Sequence, residues 1–175
     1  SGIGQPKLLK DLGIEVQHEL PGVGESLRDH YTARMNWRVR NARTLNEQSR
    51  GWRLGLEALK YGIARRGILT YTAGIVHGVV RSRPELETPD VQFHGAHASY
   101  ATSADRVLDS EPGMTIAVCQ LRPESRGSIH IRDNRPGSEP AIKPNCLAEE
   151  IDRAALIGGV RIARDVVAQP AMEPY

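Results

Sequence analysis

The chain has 175 residues, with 23 basic against 21 acidic side chains and a net charge of +2. That length suffices for one domain with a hydrophobic core, and the near balance of charge supplies no broad field for nucleic acid or an anionic membrane. Aromatic residues make up 5% of the chain, too few for base-stacking platforms, and no run approaches the ~20 consecutive apolar residues of a membrane span. Cys119 and Cys146 fit no metal-ligand spacing. They read as two reduced thiols of a cytoplasmic protein, with a single disulfide as the alternative. No signal peptide and no initiator Met are visible, so the chain reads as an internal piece of a longer protein.

Gln5 to Leu12 is predicted as a short helix carrying Leu8, Leu9 and Leu12 on one face, with Gly13 placed to end it. Ile14 to Val16 is predicted as a short strand, and Pro21, Gly22 and Gly24 mark an irregular loop. From Tyr31 to Val39, Met35, Trp37 and Val39 alternate against Asn36 and Arg38, the period of a strand. Arg50 to Arg65 is the first strong helix. Its Trp52, Leu56, Leu59 and Ile63 fall on one stripe, and Gly67 supplies the stop.

Ile75 to Val80 and Asp90 to His94 read as strands. So do Met114 to Leu121 and Ser128 to Arg132, joined across Pro123 to Gly127. Asp133 to Pro144 reads as a Pro-rich connection. Glu149 to Ala168 is the second strong helix. Leu156, Val160, Ala163 and Val167 form its stripe, widened by Ile151, Ala155, Ile162 and Val166. Hairpin-like turns between strands, without repeated strand–helix alternation, predict an antiparallel α+β domain rather than a doubly wound nucleotide fold.

Gly22-Val23-Gly24-Glu25-Ser26 looks like a nucleotide loop and fails as one. A P-loop needs Lys before the Ser, where Glu25 stands. A dinucleotide fingerprint needs a third Gly, where Leu27 stands. Read with its neighbours the pattern changes meaning. SGIG at Ser1 to Gly4 is followed by LL, LGIEV and LPGVGESLRDH. TLN stands at Thr44 to Asn46, GILTYTAG at Gly67 to Gly74 and VRSRPELETPDVQFH at Val80 to His94. PESRGSIHI stands at Pro123 to Ile131 and PAIKPNCL at Pro140 to Leu147. Together they resemble the glucose–methanol–choline (GMC) family of FAD-dependent oxidoreductases, in order and along the whole chain.

The resemblance implies a substrate-binding domain with an antiparallel sheet of about six strands backed by helices, its open face roofing the flavin. Residues 1–30 would form a junction leaving the FAD domain, and 31–175 the substrate domain. Family catalysis moves hydride from an alcohol carbon to the flavin, with a His as base. The implied positions of that His and of the FAD fingerprint lie outside this sequence. The chain is therefore expected to be inactive alone, to hold no FAD, and to carry no catalytic residue. It is also expected to self-associate through the uncovered face. The alternative reading is a stand-alone binding domain without redox chemistry.

Asp29 and His30, closing the RDH motif, are the cofactor-side candidates by resemblance. For His30 a structural hydrogen-bond role competes. Ile75, His77, Gln92 and His94 are the substrate-side candidates. Strand parity puts Ile75 with His77 and Gln92 with His94, without saying which face is open. Choline-oxidising members carry a Glu where this chain has Ile75. An aliphatic residue does not neutralise a buried ammonium, so a small neutral alcohol is expected. Ser26 stands where the family has Asn, and Gln5 where it commonly has Pro. Arg126 reads as a structural cation of its turn, with bracing of the sheet against the flavin domain as the alternative that the resemblance raises. No His pair has metal-ligand spacing with a carboxylate.

Overall fold

The computed structural model describes residues 1–72, 74–102 and 107–175. In chain order the elements are β1 (Ile3–Gly4), α1 (Pro6–Asp11), β2 (His18–Glu19), β3 (Thr32–Arg38), α2 (Leu45–Gln48), α3 (Gly51–Ala64) and β4 (Val76–Val80). They continue with β5 (Val91–Ala96), β6 (Tyr100–Thr102), β7 (Val107–Leu108), β8 (Gly113–Gln120), β9 (Ser128–His130), β10 (Ala141–Lys143) and α4 (Glu150–Val167). The chain divides into two compact units: Ser1–Tyr31 with Arg122–Ala154, and Thr32–Leu121 with Ala155–Tyr175.

The second unit is built on a four-stranded antiparallel sheet in the order β3-β8-β5-β4. Directly opposed residues share a face, so the register sorts every side chain. Val76, Val80, Val91, Phe93, Ile116, Val118, Ala33, Met35 and Trp37 fall on one face. Val91 and Val118 are fully buried there. Helix α4 covers them at Gly159. A Cβ at that position would stand 2.6 Å from Val118 Cγ1 and 2.7 Å from Val91 Cγ1, so only glycine lets helix and sheet approach this closely. Ala155, Leu156 and Ala163 of α4 are also buried.

A polar bolt holds the end of this unit. Asn46 is fully buried. Its Nδ2 donates to the Ser99 carbonyl at 2.8 Å and the Asp109 carbonyl at 3.1 Å, while its Oδ1 accepts from the Ser99 amide at 3.0 Å. Thr44 and Glu47 make the capping box that starts α2.

The first unit is held differently. β1 and β2 pair in parallel around α1, and β9 pairs antiparallel with β10. Asp152, in the first turn of α4, is buried. Its carboxylate accepts the Glu124 amide at 2.9 Å, the Ser125 amide at 2.8 Å and the Ser125 hydroxyl at 2.5 Å. Ser125 Oγ in turn accepts the Glu149 amide at 3.1 Å. Burial pushes the Asp152 carboxyl up. The Ser125 hydroxyl, the two amides and the Arg153 charge outweigh it and hold the group below the usual carboxylate range.

Several expectations meet the structure directly. The strands expected from Tyr31, Ile75, Asp90 and Met114 and both strong helices form within a residue or two of their expected ends. The strand expected at Ile14–Val16 does not form. The α1 terminus takes the Ile14 amide onto the Leu9 carbonyl at 2.9 Å, and pairing begins only at His18. β8 and β9 do not make a hairpin, because Asp152 pins the intervening segment and β9 pairs instead with β10, inside the stretch expected to be a connection. The main sheet has four strands; β6–β7 and β9–β10 are separate two-stranded pairs. The α3 stripe is correct in phase yet exposed, with Trp52 at 72% and Ile63 at 78%. On α4, Ile151 and Val166 are exposed and do not widen the buried face.

Candidate functional site

The other face of the four-stranded sheet is polar. The register gives it three rows. The first is Val79, Gln92, Cys119 and Thr32; the second His77, His94, Ala117 and Arg34; the third Ala96, Thr115 and Asn36. Helix α4 packs on the opposite face, through Val91 and Val118. Of the four substrate-side candidates, His77, Gln92 and His94 therefore come together on the polar face. Ile75 lies one residue before β4, with its amide bonded to the Gly95 carbonyl at 2.9 Å and its side chain exposed.

His77 and His94 are directly opposed, with ring centroids 4.7 Å apart and planes at 86°. This edge-to-face contact suits two imidazoles. His77 Nε2 lies 3.2 Å from the Gly74 carbonyl. A carbonyl only accepts, so Nε2 is the donor in this contact. In the third row Thr115 Oγ1 lies 2.7 Å from both Asn36 Oδ1 and the Ala98 carbonyl and is buried. In the first row burial pushes the Cys119 thiol up, which keeps it an unreactive filler.

The charge of this sheet is one-sided. None of its four strands contains Asp or Glu. Arg38 is paired with Asp109 at 2.8 Å and Glu111 at 3.6 Å. Arg34 is exposed and engages no ion pair or hydrogen bond among the described residues. The alternation of Met35 and Trp37 against Asn36 and Arg38 also carries Arg34, so strand parity is the signal that marks it. Asp152 and Asn46 gave no such signal, since nothing in a helix-start acid or a loop Asn marks burial.

The cofactor-side candidates belong to the first unit. Asp29 and His30 are both exposed, and Asp29 Oδ1 accepts the His30 amide at 2.8 Å. The Gly-rich loop beside them does not cradle a phosphate. Gly24 has φ +83°, its carbonyl accepts the Ile129 amide at 2.8 Å, and a Cβ there would fall on the Ile129 carbonyl. The loop thus packs on β9. Glu25 seals it, accepting from Gln5 Nε2 at 2.6 Å and pairing with His130 Nε2 at 2.9 Å. The Gln5 bond first, then His130, holds the Glu25 carboxyl below its ordinary range. Ser26 sits in the left-handed region at φ +57°, a conformation Asn tolerates better than Ser. Arg126 folds onto its own turn, its Nη1 reaching the Pro123, Glu124 and Ser125 carbonyls. Among the described residues no group of His, Cys, Asp and Glu is arranged to hold a metal ion, and no helix is long and apolar enough to cross a membrane.

Residues 123–174 match the family model described as GMC oxidoreductase. The oxygen-dependent choline dehydrogenase of Xanthomonas campestris pv. campestris is 31% identical over 178 residues, an alignment covering 100% of this chain and 31% of that protein. The alcohol dehydrogenase [acceptor] of Pseudomonas putida is 32% identical over 176 residues, covering 100% of this chain and 32% of that protein. An FAD-dependent oxidoreductase from Chaetomium thermophilum superposes with a TM-score of 0.80 at 20% identity, over 99% of this chain and 36% of that one. The chain spans about a third of the length of the curated relatives it matches. The family match thus lies over residues 123–174, at the C-terminal end of a chain that is similar to choline and alcohol dehydrogenases along its whole length and shares its fold with a solved flavoenzyme, so that this segment is a GMC oxidoreductase segment.

Proposed function

We propose that this chain is the substrate-binding portion of an FAD-dependent alcohol oxidoreductase, and that the polar face of its sheet is the roof over the reacting alcohol. The observation that carries this reading is the gathering of His77, Gln92 and His94 on the face opposite α4. That face offers hydrogen-bond donors and acceptors to a hydroxyl and its neighbours. The flavin would supply the hydride acceptor. In this reading flavin and catalytic base come from elsewhere in the enzyme. Residues 1–30 would then be the passage from the flavin domain and 31–175 the substrate domain. The parallel pairing of β1 and β2 around α1 supports such a passage, since parallel strands belong to helix-covered α/β sheets.

The substrate in this reading is a small alcohol without a cationic group, a neutral primary alcohol at its simplest. No carboxylate lies on the sheet strands to meet an ammonium, and Ile75 is aliphatic. Two free thiols, one of them buried, fit a reducing, cytoplasmic setting. The chain by itself would be inactive and would hold no FAD. It would self-associate, and the exposed Trp52, Leu56, Leu59 and Ile63 of α3 drive that more strongly than the polar face does.

The test is steady-state kinetics of the full-length flavoenzyme. A higher kcat/KM for neutral primary alcohols than for choline is expected, with Gln92→Ala raising KM. Turnover of choline more efficient than that of any neutral alcohol contradicts the substrate assignment. A stoichiometric flavin absorption band in the purified 175-residue chain contradicts the division of labour.

A further inference from the structure

The sheet carries one uncommitted charge. Its strands hold two arginines and no acid; Arg38 is consumed by Asp109 and Glu111, and Arg34 is left exposed on the polar face. The register puts Arg34 in the row of His77 and His94, with Ala117 between His94 and Arg34. Two strand spacings place the Arg34 and His94 backbones roughly 10 Å apart. Ala117 contributes only a methyl group to that gap, so the row runs from an imidazole to a guanidinium with one small side chain between them. The row beside it adds Thr32 and Gln92, whose side chains make no hydrogen bond among the described residues. In the row on the other side Thr115 Oγ1 lies 2.7 Å from Asn36 Oδ1.

We infer that Arg34 determines specificity at this face, selecting an alcohol that also bears a carboxylate: a short hydroxy acid, its hydroxyl end toward His94 and Gln92 and its carboxylate on the guanidinium. The inference rests on the reading of this face as the substrate side, and it moves the substrate class one step, from neutral to anionic. A guanidinium presents paired donors that match the two carboxylate oxygens, and no acid on the sheet competes for them. The same charge repels a quaternary ammonium, so it also discriminates against choline.

The experiment is an NMR titration of the full-length flavoenzyme, following the Arg34 Nε–Hε and the His77 and His94 ring signals. The probes are 4-hydroxybutyrate, 1,4-butanediol, acetate and choline. At low ionic strength 4-hydroxybutyrate is expected to move the arginine and histidine signals together, binding about threefold to tenfold more tightly than the diol. The preference should shrink in high salt, fall in Arg34→Lys and vanish in Arg34→Gln. Arg34 is exposed, so an unchanged melting temperature shows that the variants are folded. Equal affinity for hydroxy acid and diol, or a preference that survives Arg34→Gln, overturns the inference and leaves the substrate face standing. Acetate binding as tightly as 4-hydroxybutyrate also overturns it, since the hydroxyl end would then have no place. Histidine signals that move with no probe overturn the inference together with the reading on which it rests.

Discussion

The two faces of the four-stranded sheet are made by the same strands and differ in everything except register. One is closed by Val91, Val118 and the bare backbone at Gly159. The other carries Arg34, His77, Gln92 and His94. On the packed face a side chain matters by its volume, because the interior is close-packed and a lost methyl leaves a hole. On the polar face, apart from the buried Thr115 and Cys119, chemistry matters more than volume. The contrast separates residues that hold the domain from residues whose polar groups are left on the open side.

The largest effect is expected at the helix that covers the packed face. Asp152→Ala would leave the Glu124 and Ser125 amides and the Ser125 hydroxyl without their buried acceptor and cost about 3 kcal/mol in urea unfolding. The pH dependence has a definite sign. The Asp152 carboxyl is held low in the folded chain, so its contribution is fully present above the ordinary carboxylate range and lost as pH falls through the folded value. The stability gap between the wild type and Asp152→Asn should therefore narrow below about pH 4. A gap that stays constant into acid would remove the charge from the account.

Val118→Ala comes next, at about 2 kcal/mol from the missing methyl groups and the cavity between sheet and helix. Its cost should not vary between pH 4 and 8, which distinguishes packing from the carboxylate bolt. Ser26→Gly is expected to stabilise by about 0.5 kcal/mol, because glycine adopts the positive φ without penalty. A destabilised variant would mean that the Ser26 hydroxyl contributes a bond that outweighs the backbone relief. The smallest effect belongs to the polar face: Gln92→Ala should change stability by no more than about 0.5 kcal/mol. A loss as large as that of Val118→Ala would erase the difference between the two faces.

Much of this was legible in the residues, for identifiable reasons. Alternation in TARMNWR and VQFH fixed two strands and paired Gln92 with His94, because a period of two is a geometric property of extended chain. Stripes at helical spacing fixed α3 and α4. The stripe on α3 did not reveal that its apolar side is exposed, since phase says which residues share a face and not what covers it. Which face of the sheet is open stayed hidden as well, because it depends on where α4 docks, a contact of residues far apart in sequence. The β9–β10 pair and the Asp152 bolt were missed for the same reason. The PGVGES loop invites a phosphate reading by its glycines alone, yet Gly24 is there to let the loop meet the Ile129 carbonyl.

The measurement closest to the central claim compares matched substitutions on the two faces in the full-length flavoenzyme. His94→Ala is expected to lower kcat/KM for alcohol oxidation by about tenfold or more, about 1.4 kcal/mol in transition-state stabilisation, with the melting temperature unchanged. Val118→Ala is expected to lower the melting temperature and leave kcat/KM of the folded enzyme where it was. The opposite pattern, with catalysis sensitive at Val118 and indifferent at His94, would contradict the assignment of the polar face to the substrate.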